Sequence, residues 1–190
     1  MIPLFPYRGM VRPIIMAAVI CLTFLILRRR QGEPYYWWLL LPACIGYGFF
    51  LIYSTFLSRT ASEAYAYRLE LMGSARSAFT VVGGLWSLTH GDFASIRIDN
   101  PRSLEGILIN ILLMVPFGYL LPQVLHLCGR KTHAWMVILC GSLCSALIEV
   151  IQLFTRLGML DVDDWLMNTI GTGIGCFLLW LFSRKCWNGQ

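Results

Sequence analysis

Charge is scarce in this sequence. Only 13% of its 190 residues are charged, about half the share of an ordinary soluble domain, while 57% are hydrophobic. Mean hydropathy is +0.66. That balance excludes a disordered chain, an ordinary cytosolic enzyme and a disulfide-stapled secreted module. Cysteine pairing of the C-x-x-C kind is absent. The seven cysteines (Cys21, Cys44, Cys128, Cys140, Cys144, Cys176 and Cys186) lie mostly inside apolar runs, where they read as packing residues. A Walker loop, a dinucleotide-binding motif, an internal repeat and a low-complexity tract are all missing. So is a serine or cysteine placed with a histidine and an acid in triad-like order, and His126 and His133 stand away from the acidic residues. A nucleophilic hydrolase and an ATP-driven transporter are therefore unsupported. The net charge of +5 gathers at the ends of apolar segments, in Arg28-Arg29-Arg30, Arg130-Lys131 and Arg184-Lys185, which argues against a nucleic-acid partner.

What the chain has in abundance is apolar runs. Five stand out, at 14–27, 35–57, 106–127, 133–155 and 165–182. The last four are each long enough as helices to cross a hydrocarbon core about 30 Å thick. The first is shorter, and Arg12 at its start can snorkel to extend it. Arg28-Arg29-Arg30 follows it instead of a small-residue cleavage site, so it reads as a retained helix and not a signal peptide. The expected fold is all-α: a polytopic transmembrane bundle of about five spans, forming a single membrane domain over 1–190. The three basic pairs and triplets fall on one side if the N-terminus is outside. The positive-inside rule makes that side, with the C-terminus, cytoplasmic. Segments 58–104 and 156–164 then face out. Trp37, Trp38, Trp135, Trp165 and Trp187 fall near span ends, as an aromatic belt would place them.

The outer segment 58–104 is more than a tether. Residues 61–77 mix Tyr65, Tyr67, Leu69, Leu71 and Met72 with Glu63, Arg68, Glu70 and Arg76, a pattern suited to a helix on the membrane surface. Residues 78–89 form an apolar stretch too short to span, which suggests a re-entrant or interfacial piece. His90-Gly91-Asp92 and Asn100-Pro101 read as turns.

Polar residues inside membrane helices are costly, and here most gather at one level. Asn110 lies near the outer end of the third span. Glu149, Gln152 and Arg156, spaced by three and four residues, share a face at the outer end of the fourth. Asp161, Asp163 and Asp164 follow in the loop. Asn168, Gly171 and Gly175, at four, seven and eleven residues beyond Asp164, continue one stripe of the fifth span. Asn110, Glu149, Gln152, Arg156, Asp161, Asp164 and Asn168 can thus line one outer-leaflet pocket. Gly171 and Gly175 form a small-xxx-small pair for close helix packing. Pro116 and Pro122 are expected to kink span three, with Gly118 easing the bend.

These residues carry a resemblance. The string Asn110-Ile-Leu-Leu-Met-Val-Pro116-Phe117-Gly118 with Pro122, the pair Glu149-x-x-Gln152, and the run Arg156…Asp161-Val-Asp163-Asp164…Asn168-x-x-Gly171-x-x-x-Gly175 together resemble the signature of the VanZ-like membrane family. The resemblance covers about 104–182. An N-L-x-P-F element common upstream in that family is missing from 58–104. The family takes its name from a protein that raises resistance to teicoplanin, a lipoglycopeptide acting on cell-wall precursors. The resemblance implies a cell-envelope role at the outer face of a bacterial cytoplasmic membrane and implies no reaction. Its expected partners are membrane lipids and an amphiphile, either a lipid-linked envelope precursor or a lipoglycopeptide.

Rival readings stay open at this point. Glu149 is either a working carboxylate in a wet pocket or a packing group paired within the bundle. Asp161, Asp163 and Asp164 offer oxygen ligands to a divalent cation, although no histidine or further acid completes a known metal spacing, and Asp163 or Asp164 is explained as the N-cap of span five. Arg156 suits either a phosphate or carboxylate fork or a headgroup anchor. The chain is read primarily as a binding protein with no cofactor. A membrane enzyme running metal-assisted carboxylate chemistry on a polyprenyl-linked substrate is one alternative, and a structural scaffold is another.

Overall fold

The structure, a computed structural model, describes residues 11–30, 36–57, 66–69, 73, 79–81, 96–98 and 100–182. Five helices carry it: α1 (Val11–Arg30), α2 (Trp37–Ile52, prolonged by a π-helical turn Tyr53–Leu57), α3 (Pro101–Leu127), α4 (Ala134–Thr155) and α5 (Val162–Phe182). Trp37–Leu57, Arg102–Leu127, Ala134–Thr155 and Val162–Phe182 are each long and apolar enough to cross a membrane. The helix α1 has 20 residues, and at 1.5 Å per residue it runs about 30 Å beside them.

Helices α3 and α5 begin before their apolar runs do, because polar residues cap them. Asn100 is the N-cap of α3, its side chain accepting from the backbone N–H of Arg102 (3.1 Å) and Ser103 (3.4 Å), with Pro101 in the first helical position. The expected turn at Asn100-Pro101 is thus a helix start. At the far end Gly129 takes φ +70°. Its N–H donates to His126 O, and that of Arg130 donates to Leu125 O, which together make a Schellman motif. Pro116 and Pro122 lie within α3, which runs helical through both. Nearby carbonyls find side-chain donors: Tyr47 Oη donates to Leu113 O (3.1 Å) and Gln123 Nε2 to Tyr119 O (2.7 Å).

The central helix is α3. Large exposed apolar side chains line α1, α2, α4 and α5, including Val19, Phe49, Leu143 and Phe177, whereas on α3 only Leu127 at its end is so exposed. In water such surfaces would be a liability, but in hydrocarbon they face a matching phase. What holds the bundle together is therefore packing more than apolar burial. The tightest seam is α3 against α5. A Cβ built at Gly171 would overlap the backbone carbonyl of Ile111, one at Gly175 that of Val115, and one at Gly118 that of Thr172. The two backbones touch along this line, so any side chain would push them apart. At the opposite end from the α4–α5 turn, Phe24 stacks on Tyr119 with centroids 3.6 Å apart, and Leu27, Tyr36, Leu40, Leu120 and Leu179 complete a buried cluster. Tyr36 donates from its hydroxyl to Gln123 Oε1 within it.

Within 58–104 the structure describes three short strands beside residues 69 and 73 and the start of α3, so Ala66–Arg68 and Phe79–Val81 are extended, and the rest of 61–77 and 78–89, where helical pieces are expected, lies outside the described residues. Strand β1 (Ala66–Arg68) pairs in parallel with β4 (Met159–Asp161), and β2 (Phe79–Val81) pairs antiparallel with β3 (Ile96–Ile98). The reason is partner availability: β4, the short link between α4 and α5, leaves backbone groups that an adjacent extended segment can bond. His90, Gly91, Asp92 and Trp187 lie outside the described residues. Trp37, Trp38 and Trp135 are exposed at the starts of α2 and α4. Trp165 is exposed at the start of α5, its Nε1 donating to Ser142 O (3.1 Å) and Oγ (3.0 Å).

Candidate functional site

The polar residues meet where α3 begins, α4 ends, α5 begins and the π-turn closes α2. The stripe Ser145–Glu149–Gln152 on α4 is buried along its length. It obeys the three-and-four spacing of one helix face. Opposite it, α5 presents Asp163, Asp164 and Asn168.

Glu149 faces the α4–α5 turn. Its Oε2 accepts the backbone N–H of Asp161 at 3.0 Å, and the residue is only 5% exposed. Asp161 in turn caps α5: its Oδ1 accepts the N–H of Asp163 at 3.0 Å. Asp163, fully buried, and Asp164, half-buried, sit in the first turn of α5, where the helix dipole favours negative charge. Asn110 of α3 donates from Nδ2 to Asp164 Oδ1 and so ties the third span to the fifth. Gln152 donates from Nε2 to the backbone carbonyl of Thr55 (3.0 Å), tying α4 to the end of α2. Asn168 donates from Nδ2 to Ser145 Oγ (2.8 Å), and Thr172 Oγ1 donates to Asn168 O (3.1 Å).

Two atoms in this network stand apart. Gln152 Oε1 and Asn168 Oδ1 are buried, and among the described residues neither has a hydrogen-bond partner. Exchanging the oxygen and nitrogen of Gln152 would set an oxygen against Thr55 O, so the bond it makes fixes its orientation. Buried acceptors left in this condition cost free energy and call for an explanation.

The structure brings together Asn110, Glu149, Gln152, Asp161, Asp164 and Asn168. Arg156 follows directly on the buried part of α4: the α-helix ends at Thr155, and Arg156 is its exposed C-cap in the left-handed region, φ 57°. Among the described residues, no group of three or more His, Cys, Asp and Glu is arranged to hold a metal ion. Asp161 is engaged by the start of α5 and Asp164 by Asn110. Gly118, Gly171 and Gly175 lie in the α3–α5 seam, and Pro116 and Pro122 are buried on α3. Ser145, Thr55 and Thr172 were not among the expected site residues. Ser145 has a usable signal, four residues before Glu149, whereas Thr55 contributes a backbone carbonyl that no side-chain pattern marks.

Buried carboxylates and amides gathered where apolar spanning helices meet define a helical-bundle, multi-span membrane protein with a polar site at one end of its bundle. The VanZ/LLP1 family model matches residues 36–183, more than three-quarters of the chain, and the protein belongs to that family. The match takes in α2 and the 58–104 segment as well as the motifs of 104–182, and leaves α1 outside. No curated protein and no solved structure matches the chain.

Proposed function

We propose that this protein binds the polar head of an amphiphile at the outer leaflet of a bacterial cytoplasmic membrane and thereby contributes to teicoplanin resistance. The amphiphile is a lipid-linked cell-wall precursor or the lipoglycopeptide itself. One observation carries the reading: Gln152 Oε1 and Asn168 Oδ1 are buried acceptors without partners among the described residues, and they bracket Glu149 along the α4–α5 interface. A head group bearing hydroxyl or amide donors satisfies both acceptors, whereas a phosphodiester, with acceptors only, does not. Entry requires the end of α2 to part from Gln152, since Thr55 covers that end of the stripe. The positive-inside rule, applied to Arg28, Arg29, Arg30, Arg130 and Lys131, supports the outer placement.

The test is a paired susceptibility measurement in a sensitive Gram-positive host. Wild type, Glu149→Gln and Asp164→Asn are expressed at matched membrane levels and compared on teicoplanin and vancomycin. The expected result is a shift on teicoplanin alone, lost in both variants. A photo-crosslinker at position 149 should capture a precursor lipid or the drug. If wild type moves neither susceptibility and the crosslinker captures no amphiphile, the proposal fails. If both variants lose protein level along with the shift, the polar groups act as internal glue, and the scaffold reading replaces this one.

A further inference from the structure

The polar site occupies the end of the bundle where α3 and α5 begin. The other end carries charge of the opposite sign. Arg28, Arg29 and Arg30 close α1, Arg130 and Lys131 lie in the link from α3 to α4, and all are exposed. Among the described residues no Asp or Glu lies at that end, and in the sequence Arg184 and Lys185 follow directly on α5. The fold brings these helix ends to one level. The Arg28 guanidinium sits 4.7 Å from the ring centroid of Phe182, the last residue of α5. Leu27 and Tyr36 belong to one buried cluster, and Tyr36 bonds Gln123 in the last turns of α3. The ends of α1, α3 and α5 thus share a face with the starts of α2 and α4.

Helix capping explains only part of this charge. Basic side chains in a last turn complement the helix dipole, which accounts for part of Arg28–Arg30. The end of α3 needs no such help. The backbone N–H groups of Cys128, Gly129 and Arg130 already donate to Val124 O, His126 O and Leu125 O. Arg130 and Lys131 therefore extend from a finished helix end. Exposed aromatic residues fix what they meet. Trp37 and Trp38 stack at 4.4 Å directly after Tyr36, and Trp135 lies four residues beyond Lys131. Trp38 is 60% exposed and Trp135 64%, each at the start of a helix apolar enough to cross a membrane. Such indoles settle at the headgroup level of a bilayer, with the ring against acyl chains and the N–H in the wet layer. Cations at that depth stand beside lipid phosphates. A soluble acidic partner would meet the cations but leave the sideways-facing indoles uncovered.

We infer that this basic face is a binding surface for the head groups of anionic phospholipids. Arg29, Arg130 and Lys131 take the phosphodiester, the arginines as forks and the lysine as a point charge. Trp37, Trp38 and Trp135 seat against the chains below it. The surface is independent of whatever the polar site binds, because it lies at the other end of α3 from Asn110.

The experiment offers the full chain, in a neutral detergent, equal amounts of phosphatidylglycerol and phosphatidylcholine, and counts bound lipid by native mass spectrometry. Wild type should take phosphatidylglycerol in preference, and the preference should shrink as salt rises. Arg29→Gln/Lys131→Gln should bind it about 25-fold more weakly, at about fivefold for each basic residue removed. Arg12→Gln/Arg102→Gln removes the same charge from the starts of α1 and α3, and should bind as wild type does. Equal binding of the two lipids by wild type overturns the proposal, and that readout depends on no variant folding. So does equal binding by the two double variants, since net charge and not this face would then hold the lipid. Glycerol 3-phosphate, the same head without chains, should not displace the lipid at equal concentration. Displacement would mean that the face takes a soluble anion, and the assignment to lipid would fall.

Discussion

The backbone amide of Asp161 donates to the carboxylate of Glu149 at 3.0 Å, across a separation of twelve residues. Asp161 passes the arrangement on, because its own carboxylate accepts the N–H of Asp163. One carboxylate therefore holds the link between α4 and α5, and a second starts α5. Both spans owe their relative register to groups that also line the polar site, so a substitution there tests structure and function together unless the two are separated by design.

Glu149→Gln and Glu149→Leu separate them. Glutamine keeps an oxygen that can accept from Asp161, and leucine does not. Glu149→Leu should lower stability by about 1–3 kcal/mol, as expected when a buried backbone donor is orphaned. Glu149→Gln should cost less than about 1 kcal/mol, and both are read by thermal unfolding in detergent. A glutamine variant that unfolds as readily as the leucine one would show that charge, and not acceptance, holds the turn.

The glycine seam gives a sharper prediction. Gly171→Ala and Gly175→Ala each drive a methyl into a backbone carbonyl of α3. The cost should be about 1–3 kcal/mol or more, because neither backbone can yield locally. Gly48→Ala meets open space and should be neutral or stabilising, by up to about 1 kcal/mol of helix propensity. Fluorescence-detected chromatography after a heat step ranks the three.

Ser145 and Asn168 form a buried pair suited to a double-mutant cycle. Ser145→Ala removes the acceptor for Asn168 Nδ2, which should cost about 1–3 kcal/mol. In the background Asn168→Leu, the same substitution should cost much less, leaving a coupling of about 0.5–2 kcal/mol. Additive behaviour would mean that the hydrogen bond contributes little in the membrane.

Sidedness is accessible by labelling. In a cysteine-free background, a cysteine at Gly158, beside β4, should react with a membrane-impermeant maleimide in intact cells. One at Lys131 should react only after lysis. The reverse pattern would move the polar site to the cytoplasmic face and remove the basis for an outer-leaflet ligand.

Much of this was legible before any coordinates. Helical spacing put Glu149 and Gln152 on one face, and Asp164, Asn168, Gly171 and Gly175 on another, because a helix repeats its faces every three to four residues. The same rule assumes that a helix continues, and it does not see that α4 ends at Thr155 with Arg156 as a left-handed cap. Nor does it see that Ala66–Arg68 is a strand, because β4 offers it a partner far away in sequence.

The sequence by itself determined that the chain is apolar enough to span a membrane, that its costly polar residues cluster at one end, and that small residues recur where two helices must touch. Those are properties of composition and of local periodicity. Only the tertiary structure decided that Thr55 and Ser145 join the polar site, that two of its acceptors lack partners among the described residues, and that α1 and α2 diverge to leave a cleft. Each of these depends on how far apart helix axes lie and where helices stop. Those distances are set by contacts between residues remote in sequence, such as Gly171 with Ile111 and Phe24 with Tyr119, and no single helix's pattern encodes them.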